Sequence, residues 1–270
     1  MDETYVEILP IVAIMVGLLA LGHWWRRRSD RKSEQAHAEA LAEFAGGLGG
    51  RLVDPAEAHA WSAGLLEPMR RKTDGLVNQL NQVSPTSFGL TVDFPRGRWA
   101  VRVGEASVEV TADNGTRTAY EYRIEVATAP VTPMKISRRI HDGKNLFGRP
   151  LPPDHVVAQG GERVREVPVT VAAEGGGWYR VSFPPGPFDT NFAVFTSDPA
   201  AVAPLFDPRV AEHLLAEFND MYFTLHFEAG LLFCTLINRI IPDQALARVD
   251  ALIGLLERMG VAPAHPPVWA

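Results

Sequence analysis

The chain has 270 residues, of which 46% are hydrophobic and 21% charged, with a formal net charge of −6. Those figures fit a folded protein of at most two domains and exclude wholesale disorder, and 23 glycines with 21 prolines are too few for a collagen-like or linker-like chain. The one cysteine, Cys234, can close no intramolecular disulfide and no thiolate zinc site, so the fold is held by its core.

From Ile8 to Trp25 no Asp, Glu, Lys or Arg occurs over 18 residues. At 1.5 Å per residue this makes a helix of about 27 Å, close to a hydrocarbon core of about 30 Å. Tyr5 before the run and Trp24 and Trp25 after it supply interfacial rings. A cleaved signal peptide is disfavoured, because Asp2, Glu3 and Glu7 stand where a basic region belongs and the positive charge follows the run. Arg26, Arg27, Arg28, Arg31 and Lys32 against Asp30 leave +4 on that flank, which predicts an N-terminus outside and the bulk of the chain in the cytoplasm. Tyr5, Trp24, Trp25, Arg26, Arg27, Arg28, Arg31 and Lys32 are the expected membrane-interface residues. Residues 33–270 carry −7, which is unsuited to neutralising phosphates, so no nucleic-acid partner is expected.

After the flank, Ala38, Leu41, Ala42, Ala45 and Leu48 recur at helical spacing, predicting a helix from Ser33 to Gly46. The glycines Gly46, Gly47, Gly49 and Gly50 close that helix, whereas a phosphate loop opens one. Asp54 before Pro55, with Glu57 three residues on, predicts a second helical region reaching about Gln82 and interrupted near Gly64 and Pro68.

From Phe88 the period shortens to two. Trp99, Val101 and Val103 alternate with Arg98 and Arg102, and Tyr120, Tyr122, Ile124 and Val126 alternate with Glu121, Arg123 and Glu125, which reads as half-buried strands with one wet face. Asn114-Gly115 between such runs predicts an antiparallel hairpin. His141 to Glu162 holds too many glycines and prolines for an element interior and reads as a long loop. Strands are expected again at 165–172, 178–183 and 191–196. Asp198-Pro199 and Asp207-Pro208 each place a capping carboxylate before a proline, starting two short helices. A hairpin about Ala229-Gly230 follows, and then a last helix capped by Asp243 with Leu246, Val249, Ile253, Leu256 and Met259 on one face.

The chemistry of known catalytic motifs is missing from these residues. The eight histidines form no HxxxH pair, no Gly-x-Ser-x-Gly elbow occurs, and Gly143-Lys144 lacks both the leading glycine and the Ser or Thr of a phosphate loop. Cys234 in an apolar run reads as an inert buried thiol. His141 with Asp142, and His213 with Glu217, His226 or Asp220, remain the pairs that folding might bring together. No metal and no cofactor is expected.

Phe188, Asp189, Phe192, Val194, Asp198, Ala201, Leu205, Pro208 and Leu214, followed by the apolar hairpin, resemble a segment of a family of bacterial membrane-associated proteins of unknown function. The resemblance covers residues 167–237; it implies a domain type and brings no catalytic residues. A closed sheet with a terminal helix also resembles a pleckstrin-homology-like module at the level of fold.

The expected protein is therefore α+β: one N-terminal transmembrane helix, then an antiparallel sheet covered by helices, with a C-terminal helix. Its parts are a short outside N-terminus (1–7), the span (8–25), a basic flank and connecting helix (26–52), the α+β domain (53–262) and a tail (263–270). The expected role is a binding or scaffolding domain, not an enzyme, at the inner face of the cell membrane, with the lipid bilayer, anionic headgroups or another membrane protein as partner. The competing readings are an enzyme with a convergent site and an extracytoplasmic tethered binding module.

Overall fold

The computed structural model describes residues 21, 24–25, 28–29, 32–54, 56–66, 88–112, 115–140, 155–157, 163–164, 170–173, 176–218 and 224–264. The chain forms two compact units, residues 1–44 and 45–270.

The first unit is helical wherever it is described, and helix α1 runs over residues 32–47. Lys32, Glu34, Glu39 and Glu43 put a charge on nearly every turn of it, and among the described residues no helix is long and apolar enough to cross a membrane. This corrects the expected single-pass transmembrane helix. The cell-membrane localisation, with the N-terminus outside and the C-terminal domain cytoplasmic, loses its support with it. The apolar residues 8–20 and the basic run Met69 to Lys72 lie outside the described residues. Helix α1 ends where the glycines predict, with Gly50 N donating to Ala45 O at 2.8 Å and Gly49 at φ 72°. A Cβ on Gly50 would overlap Asp93 O and the Phe94 side chain, so only glycine lets this backbone lie against the sheet.

The second unit is built on strands β1 (Arg51–Leu52), β2 (Phe88–Arg96), β3 (Trp99–Ala112), β4 (Gly115–Ala127), β5 (Met134–Ile140), β6 (His155–Val157), β7 (Arg163–Val164), β8 (Thr170–Ala173), β9 (Gly176–Arg180), β10 (Phe192–Thr196), β11 (Thr224–Glu228) and β12 (Leu231–Leu236). The order is β1-β2-β3-β4-β12-β11-β5-β10-β9-β8, with β6 against β5 and β7, and every pairing is antiparallel. The late hairpin β11–β12 is inserted between β4 and β5. Among the described residues the order has two ends, so no closed sheet of the pleckstrin-homology-like kind is seen there.

The β3–β4 ladder keeps one register from Val101↔Val126 to Ala112↔Gly115. Gly115 is the first residue of β4, opposite Ala112, and Asn114 of the expected Asn114-Gly115 turn lies outside the described residues. The second helical region expected from Asp54 is, in its described part, a set of turns: Asp54 Oδ1 accepts from Ala56 N at 2.8 Å, and Leu65 N and Leu66 N donate to Ser62 O at 2.9 Å. The loop 141–162 contains strand β6.

Helices are few. They are α2 (Pro187–Asn191), α3 (Pro199–Val202), α4 (Pro208–Glu217) and α5 (Pro242–Arg258). Asp198 and Asp207 cap α3 and α4, accepting from Ala201 N at 3.0 Å and Val210 N at 2.9 Å. Helix α5 starts two residues earlier than predicted, with Pro242 as its first residue and Ile241 as N-cap, so Asp243 sits in the first turn facing the helix dipole. Its buried side is Ala245, Val249, Leu252, Leu255 and Leu256, while Leu246 and Ile253 are half-buried at its margin. This side packs on β3, β4 and α4. Beneath it lie Val101, Val103, Ile124 and Val126, each worth about 1.5–3 kcal/mol of burial when fully removed from water. Over β3, β4 and β12 the other face is covered, among the described residues, by the turns of residues 56–66. The sheet covered by helices is thus corrected, among the described residues, to a sheet with one helical cover and one irregular cover. Residues of the family-like segment form an aromatic cluster, with Phe188 stacked on Phe192 at 5.5 Å and edge-on to Phe183 at 5.0 Å.

The β11–β12 turn is Ala229 at φ 52° and Gly230 at φ 74°, a two-residue loop with both residues left-handed. Alanine is strained there, so Ala229→Gly is expected to raise the unfolding free energy by about 0.5–1 kcal/mol. The check is a higher urea midpoint at unchanged slope; an unchanged or lower midpoint contradicts the strain.

Candidate functional site

Alternation places residues of one cross-strand row on a common face. Here the row is Asp93, Arg102, Glu125, Phe233, His226 and Lys135, each directly opposite the next across β2, β3, β4, β12, β11 and β5. Its centre is dry: Glu125 is fully buried, and so is Arg123 two residues away on the same face.

Glu125 is answered from residues 61 and 62. Its carboxylate accepts from the Trp61 and Ser62 backbone N–H groups, both at 2.7 Å, and from Ser62 Oγ. Arg123 Nη1 donates to Ser62 Oγ at 2.9 Å and to Leu66 O at 2.7 Å. Its guanidinium lies over the rings of Phe88 at 5.2 Å and Phe233 at 5.8 Å. Burial pushes the Glu125 carboxyl up, against the pull of the Ser62 and Trp61 donors and Arg123; burial pushes Arg123 down, opposed first by Glu125. Nearer the sheet edge, Arg102 grips Asp93 bidentately at 2.7 Å, donates to His59 O, and lies 5.0 Å from the Trp61 ring centroid.

These bonds fix Trp61 against Ala127, Leu231 and Phe233, where it forms one wall of a cleft of about 700 Å³. Pro95, Ala100 and Pro263 continue the lining, and the exposed Arg51 and Arg98 border it. Pro263 is held there by its bridge to Thr128. Phe94 and Trp99 also touch the cleft, but alternation puts their side chains on the helical face with Val101. A cleft of this size and mainly apolar lining is in the range of ligand sites.

Of the pairs considered from sequence, His213 and His226 lie on opposite sides of the sheet. His213 on α4 bonds Ala251 O of α5 at 2.8 Å, on the helical side of the sheet. His226 faces the other side, stacked on Phe233 at 4.7 Å, and Asp220, His141 and Asp142 lie outside the described residues. Burial, with Lys135 and Arg123 nearby, pulls the His226 pKa down to about 3, and burial pushes the Cys234 thiol up to about 12. Neither is poised to exchange a proton near neutrality. Among the described residues no group of three or more His, Cys, Asp or Glu is placed to hold a metal ion. Of the membrane-interface residues, Trp24 and Trp25 are exposed on a helix, with Arg28 over the Trp24 ring at 5.4 Å, and Lys32 is exposed; Tyr5, Arg26, Arg27 and Arg31 lie outside the described residues.

The sequence reading misses Arg123, Glu125, Ser62 and Trp61. The signal available is the run Leu231-Leu232-Phe233-Cys234, apolar on both strand faces, which implies a sheet covered on both sides. No family model, no curated protein and no solved structure matches this chain.

Removing the Glu125 carboxylate strands three donors and the Arg123 charge in a dry site. Glu125→Ala is expected to cost about 3–5 kcal/mol in urea unfolding and Glu125→Gln less; losses below about 1 kcal/mol for both would show the network to be incidental. His226 gives a pH dependence. The unfolded imidazole takes a proton near 6.5 and the folded one only near 3. Between these values the unfolded chain binds the extra proton, so His226's contribution is complete above 6.5 and falls by up to about 1.4 kcal/mol per pH unit toward 3. His226→Phe keeps the stacked ring and should flatten the urea-midpoint profile in that window; a profile parallel to the parent's would mean that His226 titrates normally.

Proposed function

We propose that residues 45–270 act as a binding module whose ligand seat is the cleft beside Trp61. The observation that carries this reading is the cleft itself, about 700 Å³ with a mainly apolar lining. Trp61 is pinned by Glu125 and by the Arg102 guanidinium, so its side of the cleft is formed before a ligand arrives. The inner-membrane role falls with the localisation.

The test is an NMR screen of small apolar compounds against the full chain, following the tryptophan indole N–H resonances. Binders are expected to shift the Trp61 signal saturably, and Ala264→Trp, which places an indole in the cleft, should abolish the shift. Binders that move only the Trp24, Trp25 or Trp178 signals, or that bind Ala264→Trp unchanged, would sink the proposal.

A further inference from the structure

We infer that the cleft selects an anionic amphiphile, an apolar body ending in a carboxylate. This rests on the cleft being a ligand seat at all, and it names the chemistry of the ligand.

The cleft lining holds three charged side chains: Arg51, Asp93 and Arg98. Asp93 is already spent, since both of its oxygens accept from Arg102 at 2.7 Å. Arg51 and Arg98 have no carboxylate partner among the described residues and are exposed. They come from separate elements, β1 and the β2–β3 turn, so two unanswered guanidinium groups border one apolar cleft in a chain whose overall charge is −6. Arg98 lies 5.5 Å from the Trp99 ring centroid, which restrains it beside the cleft. Guanidinium forks suit a carboxylate, while the ligand's body takes the apolar surface of Trp61, Pro95, Ala100 and Pro263. A neutral apolar molecule leaves both arginines idle, and a cation meets like charge.

The test compares dodecanoate with dodecanol below their aggregation limits, by tryptophan fluorescence and calorimetry on the full chain. Dodecanoate is expected to bind about tenfold or more tighter, the yield of one charge-assisted contact. Arg51→Gln with Arg98→Gln should reduce it to the level of dodecanol without lowering the melting temperature. Arg209→Gln, an exposed arginine paired with Asp207 away from the cleft, should change nothing. Dodecyl phosphate in place of dodecanoate tells whether the site reads carboxylate geometry or negative charge alone; binding of the phosphate tighter than the carboxylate overturns the carboxylate assignment. Equal binding of dodecanoate and dodecanol that Ala264→Trp abolishes would overturn the anionic class and leave the binding reading standing. No binding of either, together with an empty compound screen, would overturn both.

Discussion

The Glu125 carboxylate sits in the middle strands of a long antiparallel sheet with no access to water, so its charge must be answered by protein. The answer comes from residues sixty-three and sixty-four positions away, the N–H groups of Ser62 and Trp61. Arg123 completes the arrangement by donating both to the Ser62 hydroxyl and to Leu66 O. A buried charge pair of this kind is weak evidence for stability in itself. Its effect is to specify position: residues 60–66 form turns with few ladder bonds of their own, and only one placement of that segment satisfies the carboxylate. Trp61, and through it one wall of the cleft, depends on that placement.

The helical face uses the same device with different residues. Glu105, on the opposite side of β3, is nearly fully buried and accepts from Ile240 N at 2.7 Å, with Arg239 at 3.6 Å. Ile240 immediately precedes the N-cap of helix α5, so this carboxylate fixes where the helix begins. Each cover of the sheet is therefore tied down by a glutamate at its point of entry, and the apolar area under the cover follows. Gly104 lies between these two glutamate positions in the fold's logic. A Cβ there would meet Phe88 Cδ1 at 3.0 Å, so its absence lets the Phe88 ring lie over β3 and under the Arg123 guanidinium.

Features written within a few residues were legible in the sequence. Asp198-Pro199, Asp207-Pro208 and Ala229-Gly230 each encode their geometry locally, through a carboxylate reaching its own helix start or two adjacent residues that accept left-handed backbone. The polar alternation at Glu121, Arg123 and Glu125 predicts a wet face, and the structure buries Arg123 and Glu125 because a distant segment lies over them. Nothing in the period of a strand records what covers it. The apolar face of α5 was legible in period but off by a fraction of a turn, since Ala245 and Leu252 face the sheet and Leu246 and Ile253 its margin.

Arg98 and Arg102 show how the site's charge arises from position and not from composition. Both belong to one short stretch about β3, four residues apart, and the chain as a whole is acidic. Arg102 stands opposite Asp93 in the ladder, and its guanidinium is consumed by that carboxylate, by His59 O and by the face of Trp61. Arg98 stands in the turn, before the ladder begins, where no cross-strand residue faces it, and among the described residues its guanidinium lies against the Trp99 ring. The ladder thus spends one arginine on building the cleft and leaves the other at its mouth. Arg51, on a strand only two residues long, is left over for the same reason: β1 pairs too briefly with β2 to bring a carboxylate opposite it beyond Asp93, which Arg102 already holds. Local positive charge in an acidic chain is what remains after the sheet has satisfied its own pairs, and that residue of charge is what a carboxylate ligand would read.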